Sequence, residues 1–234
     1  MVATFSRVDT AWPAIPARLF GTMAFLSIAV LILTLANPEQ TPRIGIRAFK
    51  SEGVLEIWGA NNDRGPFHLL TTYPIAALSG SLGPKRREGD MQVPEGFYYV
   101  NRFNPNSRFH LSLGLNYPNS SDRKLGDPVR PGNDIFIHGN RVSAGCLAMT
   151  DPVIEVIYGL ASHARERGQR AIPVSIFPCR MNRANWARLQ SQYASRPDLI
   201  RFWKSLIPGY ETFEKTHYWV RPNVNRNGAY IWPR

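Results

Sequence analysis

Cysteine is scarce in this chain: Cys146 and Cys179 are the only two among 234 residues. A small fold stapled by several disulfides is therefore excluded. Metal-site patterns are also missing, because zinc needs three or four ligands and His138, Cys146 and Asp151 follow no recognised ligand spacing. There is no glycine-rich phosphate loop. Ser143 is not in a G-x-S-x-G elbow, since Arg141 stands where the first glycine would be. Neither an internal repeat nor a low-complexity tract is present. Acidic residues are few, with 17 Asp and Glu against 28 Lys and Arg, a formal charge of +11. The basic residues are spread along the chain, which favours an anionic polymer as partner without choosing among nucleic acid, membrane headgroups and acidic wall material.

A hydrophobic content of 44% is enough to bury a core and argues against disorder. A charge-free apolar run, LFGTMAFLSIAVLILTLA, spans 19–36 and as a helix would reach about 27 Å, nearly a bilayer core. It reads as an uncleaved signal anchor or, with Thr34-Leu35-Ala36 as a small-residue cleavage site, as a signal peptide. Arg7 and Arg18 against Asp9 favour a cytoplasmic 1–18 segment and an extracytoplasmic, periplasmic body. That placement removes nucleic acid as a partner and leaves the membrane, through 19–36, and anionic envelope material.

Residues 37–42, NPEQTP, form a linker whose prolines resist continuation of a helix. A catalytic-sized domain is expected over 43–180 and a helical, aromatic extension packed on it over 181–234. Runs such as RIGIRAF, VLEIWGA, FHLLTTYPIA, GFYYV, FHLSLGLNY and DIFIHG are β-branched or aromatic and are separated by Gly, Pro, Asn and Ser clusters. They predict an α+β, mostly β fold: a largely antiparallel sandwich or partly closed barrel with appended helices. Asp151 as cap, Pro152 at the first helical position, and Ile154, Ile157, Tyr158 and Ala161 on one face predict a helix ending near Gly168. A last strand, AIPVSIF, follows. Helical pieces are expected around NRANWARLQSQYA and DLIRFWKSLI, then an aromatic tail from Pro208 onward.

Chemistry concentrates in FIHGNRVSAGCLAMTDP, 136–152, where a histidine and a cysteine flank a small-residue turn. A thiolate nucleophile needs a base within reach, donors aimed at an oxyanion and room for the substrate. His138 at the mouth of a strand is the candidate base, and Gly139 lets the chain turn there. Cys146 is the candidate nucleophile, Gly145 opens space beside it, and the N–H groups of Gly145 and Cys146 are candidate oxyanion donors. Cys179, at the end of PVSIFPC, is either a buried strand-end thiol or a disulfide partner that would silence Cys146. His68, His110, His163 and His217 read as structural or surface residues.

HGNRVSAGCLAMTD resembles the H-G…S-x-G-C signature of the YkuD-type L,D-transpeptidase catalytic domain, and EGDMQVPEGFYYV resembles that family's T-P-x-G-x-F strand entry. LSGSLGPKRREGDMQVPEGFYYV, NPNSRFHLSLGLNYPN, HGNRVSAGCLAMTD and IFPCRM occur in the order of the YafK-like branch. The resemblance implies a β-rich fold carrying a cysteine acyl-transfer enzyme, which acts on diaminopimelate-containing peptidoglycan stem peptides without a metal or organic cofactor. It implies Cys146 as nucleophile, His138 as base and later acid oriented by the Gly139 carbonyl, Ser143 as hydrogen-bonding support and Gly145 as the glycine before the nucleophile. Two features depart from the pattern: Ala148 stands where many members carry arginine, and the gap from His138 to Cys146 is short. Arg102, Arg108, Arg141 and Lys85 are then the candidates to read a substrate carboxylate. The acceptor can be an amine, giving a wall crosslink or a wall-linked envelope protein, or water, giving an amidase. A basic wall-binding protein that has kept the fold without activity is the third reading.

Overall fold

The computed structural model describes residues 43–62 and 64–233. The candidate anchor and the linker lie outside them. Among the described residues no helix is long and apolar enough to cross a membrane.

Eight strands form one sheet: β1 (Arg43–Phe49), β2 (Val54–Ala60), β3 (His68–Pro74), β4 (Gly96–Ser107), β5 (His110–Leu115), β6 (Phe136–His138), β7 (Leu147–Ala148) and β8 (Ile172–Phe177). Their spatial order is β3-β2-β1-β8-β4-β5-β6-β7. Most neighbours are antiparallel, as expected, but β1 with β8 and β6 with β7 run parallel. Sequence order alone gave no hint of the first of these, because β8 enters the middle of the sheet more than a hundred residues after β1.

The sheet curls until the chain just beyond one edge meets the other edge. β3 and β7 are the edge strands, yet the chain leaving β3 forms an antiparallel bridge from Ala77 to Ala148 of β7. The Ala76 N–H also donates to the Ala148 carbonyl at 2.7 Å. Closing the edges this way satisfies backbone groups that an open edge would leave unpaired. The result is a mostly β, half-barrel architecture with helices packed on both faces of the curled sheet, so the barrel-like alternative of the sequence reading is the one observed.

Alternation along β1 explains how both faces are covered. Gly45, Arg47 and Phe49 face the C-terminal segment: Trp219 lies over Gly45, Arg47 pairs with Glu214 at 2.7 Å, and Phe49 meets Tyr210 edge-on. Ile44, Ile46 and Ala48, all essentially inaccessible, point the other way. That face is covered by the helix Asp151–Glu166, which buries Ile154, Ile157, Leu160, Ala161 and Ala164. A short helix, α1 (Ser120–Leu125), precedes it in the chain, making Asp151–Glu166 α2. α2 begins one residue earlier than predicted: Thr150 is its cap residue, while the Asp151 carboxylate turns back to accept the Asn140 N–H at 2.7 Å.

Two further helices, α3 (Arg183–Gln192) and α4 (Pro197–Thr216), and the small hairpin of β9 (Asn223–Val224) and β10 (Tyr230–Ile231) complete the C-terminal segment. α4 runs through Pro208 instead of giving way to a tail there. The apolar stripe of Leu199, Phe202, Trp203, Leu206, Tyr210 and Phe213 is buried along the whole helix, and its burial outweighs the hydrogen bond that a proline forfeits. One buried tie locks α4 to the barrel: Glu95 accepts from Trp203 Nε1 at 2.6 Å and pairs with Lys50 at 3.0 Å.

Candidate active site

β6 delivers His138 and β7 follows directly on Cys146. Their parallel register, Ile137 with Leu147 and His138 with Ala148, makes Cys146 the neighbour of Phe136. The Phe136 N–H reaches the Cys146 sulfur at 3.4 Å, and the thiol points to the Asp134 carbonyl at 3.7 Å. Among the described residues no hydrogen bond joins the His138 and Cys146 side chains. Such contacts often tighten only when substrate is bound.

His138 is held from several sides. Its Nδ1 lies 2.5 Å from the Gly139 carbonyl, which can only accept, so Nδ1 carries the proton and Nε2 is left bare as an acceptor. The Phe109 ring packs on the imidazole at 4.6 Å between centroids. Phe109 belongs to the turn of the β4–β5 hairpin, whose β5 pairs Ser112 with His138. Gly139 is required at its place by close approach: a Cβ there would stand 2.7 Å from the Phe109 carbonyl and 2.5 Å from Asp151 Oδ1. Burial pushes the imidazole below its ordinary value, opposed by the hydrogen bond to Gly139.

The thiol of Cys146 is pushed up, first by burial and then by the Asp134 carboxylate, while the Phe136 N–H and the Lys85 ammonium act the other way. Both shifts disfavour the charged form of their group. Cys179 is also a free thiol, buried in the hydrophobic cluster under α4, and burial raises it to about 11.

The nucleophile loop is built by two serines. Ser143 Oγ donates to the Cys146 carbonyl at 2.7 Å. Ser79, in the segment that closes the barrel, accepts the Gly145 N–H at 2.6 Å and lies 3.2 Å from Ser143 Oγ. The Gly145 N–H is therefore committed inside the protein, which corrects the expectation that it faces an oxyanion. Of the two candidate donors, the Cys146 N–H is the one without such a hydrogen bond among the described residues. Gly145 itself adopts φ +109, a conformation that favours glycine.

His138, Gly139, Ser143, Gly145 and Cys146 thus converge on one patch. The four cation candidates do not converge on it equally. Arg102 stacks over Phe136 and pairs with Asp134 at 2.8 Å, beside the thiol. Lys85 is buried and paired with Asp90 at 2.6 Å. Arg108 is exposed at the hairpin tip next to Phe109, and Arg141 is exposed in the loop between His138 and Ser143. Sequence reasoning missed Ser79, Phe109 and Asp134. No local pattern singles them out, because their roles come from chain crossings and not from spacing. Among the described residues no group of three or more His, Cys, Asp or Glu could hold a metal ion.

A half-closed β-barrel with a cysteine–histidine patch at its β6–β7 edge defines the class. Residues 51–176 match the model of the L,D-transpeptidase catalytic domain, YkuD. The YafK protein of Escherichia coli K12, which carries a provisional L,D-transpeptidase name, is 39% identical over 189 residues, covering 80% of this chain and 72% of that protein. The chain belongs to the L,D-transpeptidase catalytic-domain family. Among solved structures, the helical cell shape determining protein Pgp2 of Campylobacter jejuni is 16% identical, with a TM-score of 0.48 over 85% of this chain and 80% of that one. Bd1075 of Bdellovibrio bacteriovorus is 19% identical, with a TM-score of 0.42 over 84% and 79%.

Proposed function

We propose that the protein transfers acyl groups of diaminopimelate-containing peptidoglycan peptides through a thioester on Cys146, outside the cytoplasmic membrane and tethered there by 19–36. The observation that carries the reading is the orientation of His138. With Nδ1 fixed on the Gly139 carbonyl, Nε2 is left as the acceptor, and the parallel register of β6 and β7 sets Cys146 two residues before the strand partner of His138.

In the first half-reaction Nε2 removes the Sγ proton as sulfur adds to the carbonyl carbon next to diaminopimelate. The resulting oxyanion takes the Cys146 N–H as donor. Collapse breaks the C–N bond, and the imidazolium returns its proton to the departing amine, leaving the thioester. In the second half-reaction His138 deprotonates the incoming acceptor, whose attack releases the thiol. An amine acceptor yields a crosslink or a wall-linked protein; water yields net hydrolysis.

The test is intact mass and product analysis with a tetrapeptide-bearing wall fragment, with and without an added amine, for the wild type and Cys146→Ala. New amide adducts formed by the wild type alone support the transferase. Free acid alone, again only with the wild type, assigns the amidase. Equal behaviour of the two proteins refutes acyl transfer and leaves the basic wall-binding role, whose salt dependence can be measured directly.

A further inference from the structure

We propose that Ser79 is a positioning residue that fixes the peptide plane carrying the oxyanion donor. This rests on the reading of Cys146 as a nucleophile that becomes acylated.

The Ser79 oxygen accepts the Gly145 N–H at 2.6 Å, so its own proton is free to go to Ser143 Oγ at 3.2 Å. Ser143 in turn gives its proton to the Cys146 carbonyl at 2.7 Å. The directed chain Ser79 to Ser143 to Cys146 therefore holds two peptide planes. One is Ala144–Gly145, gripped by its N–H; the other is Cys146–Leu147, gripped by its carbonyl. Between them lies the single plane Gly145–Cys146, whose N–H is the donor left for the substrate. The flanking residue Gly145 stands at φ +109, where little besides the neighbours resists rotation. Pinning both flanks is what keeps the middle plane aimed.

The anchoring side is rigid for its own reasons. Ala76 and Ala77, just ahead of Ser79, are bonded to Ala148 of β7, so the same segment that closes the barrel carries the serine to the loop. Beyond it, the Gln92 carbonyl would stand 3.1 Å from a Cβ at Gly145, which leaves the loop no room to shift that way. Ser79 reaches no reacting atom in this arrangement; it acts through Gly145 and Ser143.

The experiment separates acylation from simple alkylation of the same sulfur. Iodoacetamide is attacked at an sp³ carbon and creates no oxyanion, whereas p-nitrophenyl acetate passes through a tetrahedral oxyanion that expels nitrophenolate. In Ser79→Ala the acylation rate constant should fall about 10- to 100-fold, while alkylation stays within about twofold of the wild type. Ser79→Thr, which keeps the hydroxyl, should recover acylation to within about threefold. Ser79→Ala combined with Ser143→Ala should be no slower than the slower single variant, because the two hydroxyls act as one chain. Wild-type acylation in Ser79→Ala, or equal loss of acylation and alkylation, overturns the positioning role. A wild type that is alkylated but never acylated by the ester sinks the acyl-transfer reading itself.

Discussion

The reactivity of Cys146 should betray a thiol that is protonated at rest. Burial and the Asp134 carboxylate hold it above its ordinary value of 9.0, and the Lys85 ammonium and the Phe136 N–H do not reverse the balance. At pH 7 the thiolate is then a minor species. His138 is depressed below 6.5 by burial, so it is neutral there and supplies no cation to stabilise the thiolate. Iodoacetamide reacts with thiolate alone, so its second-order rate constant should climb about tenfold per pH unit from pH 6 to pH 8 with no plateau in that range. Asp134→Asn removes the neighbouring negative charge and suits the position, because Asp134 sits at φ +54, where asparagine is at ease. It also frees the Arg102 guanidinium now paired with Asp134 at 2.8 Å. The alkylation profile of that variant should move to lower pH, with a two- to fivefold faster reaction at pH 8, an order-of-magnitude figure for one partly solvated charge, and the gain should shrink in high salt. A plateau below about pH 7.5 in the wild type would mean a thiolate–imidazolium pair, and a slower Asp134→Asn would mean that the carboxylate does not oppose ionisation. Either result refutes the electrostatic account.

Three further outcomes follow from contacts already described. Gly139→Ala would place a methyl group 2.7 Å from the Phe109 carbonyl, forcing the hairpin tip away from His138; melts should show a loss of about 1–3 kcal/mol and ester acylation should fall by at least about 100-fold. Glu95→Ala leaves the Lys50 ammonium buried without its 3.0 Å partner and deprives Trp203 of its acceptor; urea unfolding should report about 3–5 kcal/mol of destabilisation. Asp122 is buried, and desolvation raises its carboxyl from 3.8 to about 7 against the help of Asn119, Arg86 and Tyr98. Between those values the folded protein keeps a proton that the unfolded chain has released, so this group favours folding at low pH and that favour is lost as pH rises through about 7. The swing is at most about 4 kcal/mol, and Asp122→Asn should flatten the fall in Tm between pH 5 and pH 8; an equally steep fall in the variant would show that other groups set it.

The strands were legible because each carries its own signal, a β-branched run bounded by turn residues, as in RIGIRAF and VLEIWGA. Their assembly was not. The parallel insertion of β8 beside β1 depends on a chain crossing that leaves no mark on either segment. Pro208 is a second case. Its local meaning is to stop a helix, and only the continuous buried stripe from Leu199 to Phe213 shows why α4 continues. In both places tertiary burial overrides a correct local preference.

The same division runs through the site. Cys146, His138, Ser143, Gly139 and Gly145 stand within one short stretch, so their types and spacing were enough to raise the question of a nucleophile and a base. What turns that stretch into a site comes from elsewhere in the chain: Phe109 against the imidazole, and Ser79 on the loop. Ser79 lies 66 positions from Gly145, and a serine in a glycine-rich turn looks like any other turn serine. Its significance arises only because the sheet curls far enough for the segment after β3 to meet β7. A curled sheet therefore does more here than bury a core. By bringing the segment after its first edge to its last, it supplies the hydroxyl that commits the Gly145 N–H, so in the proposed mechanism barrel closure also sets which N–H is left to meet the oxyanion. A variant at Ala76 or Ala77 that loosens them from Ala148 should then slow acylation of Cys146 more than its alkylation.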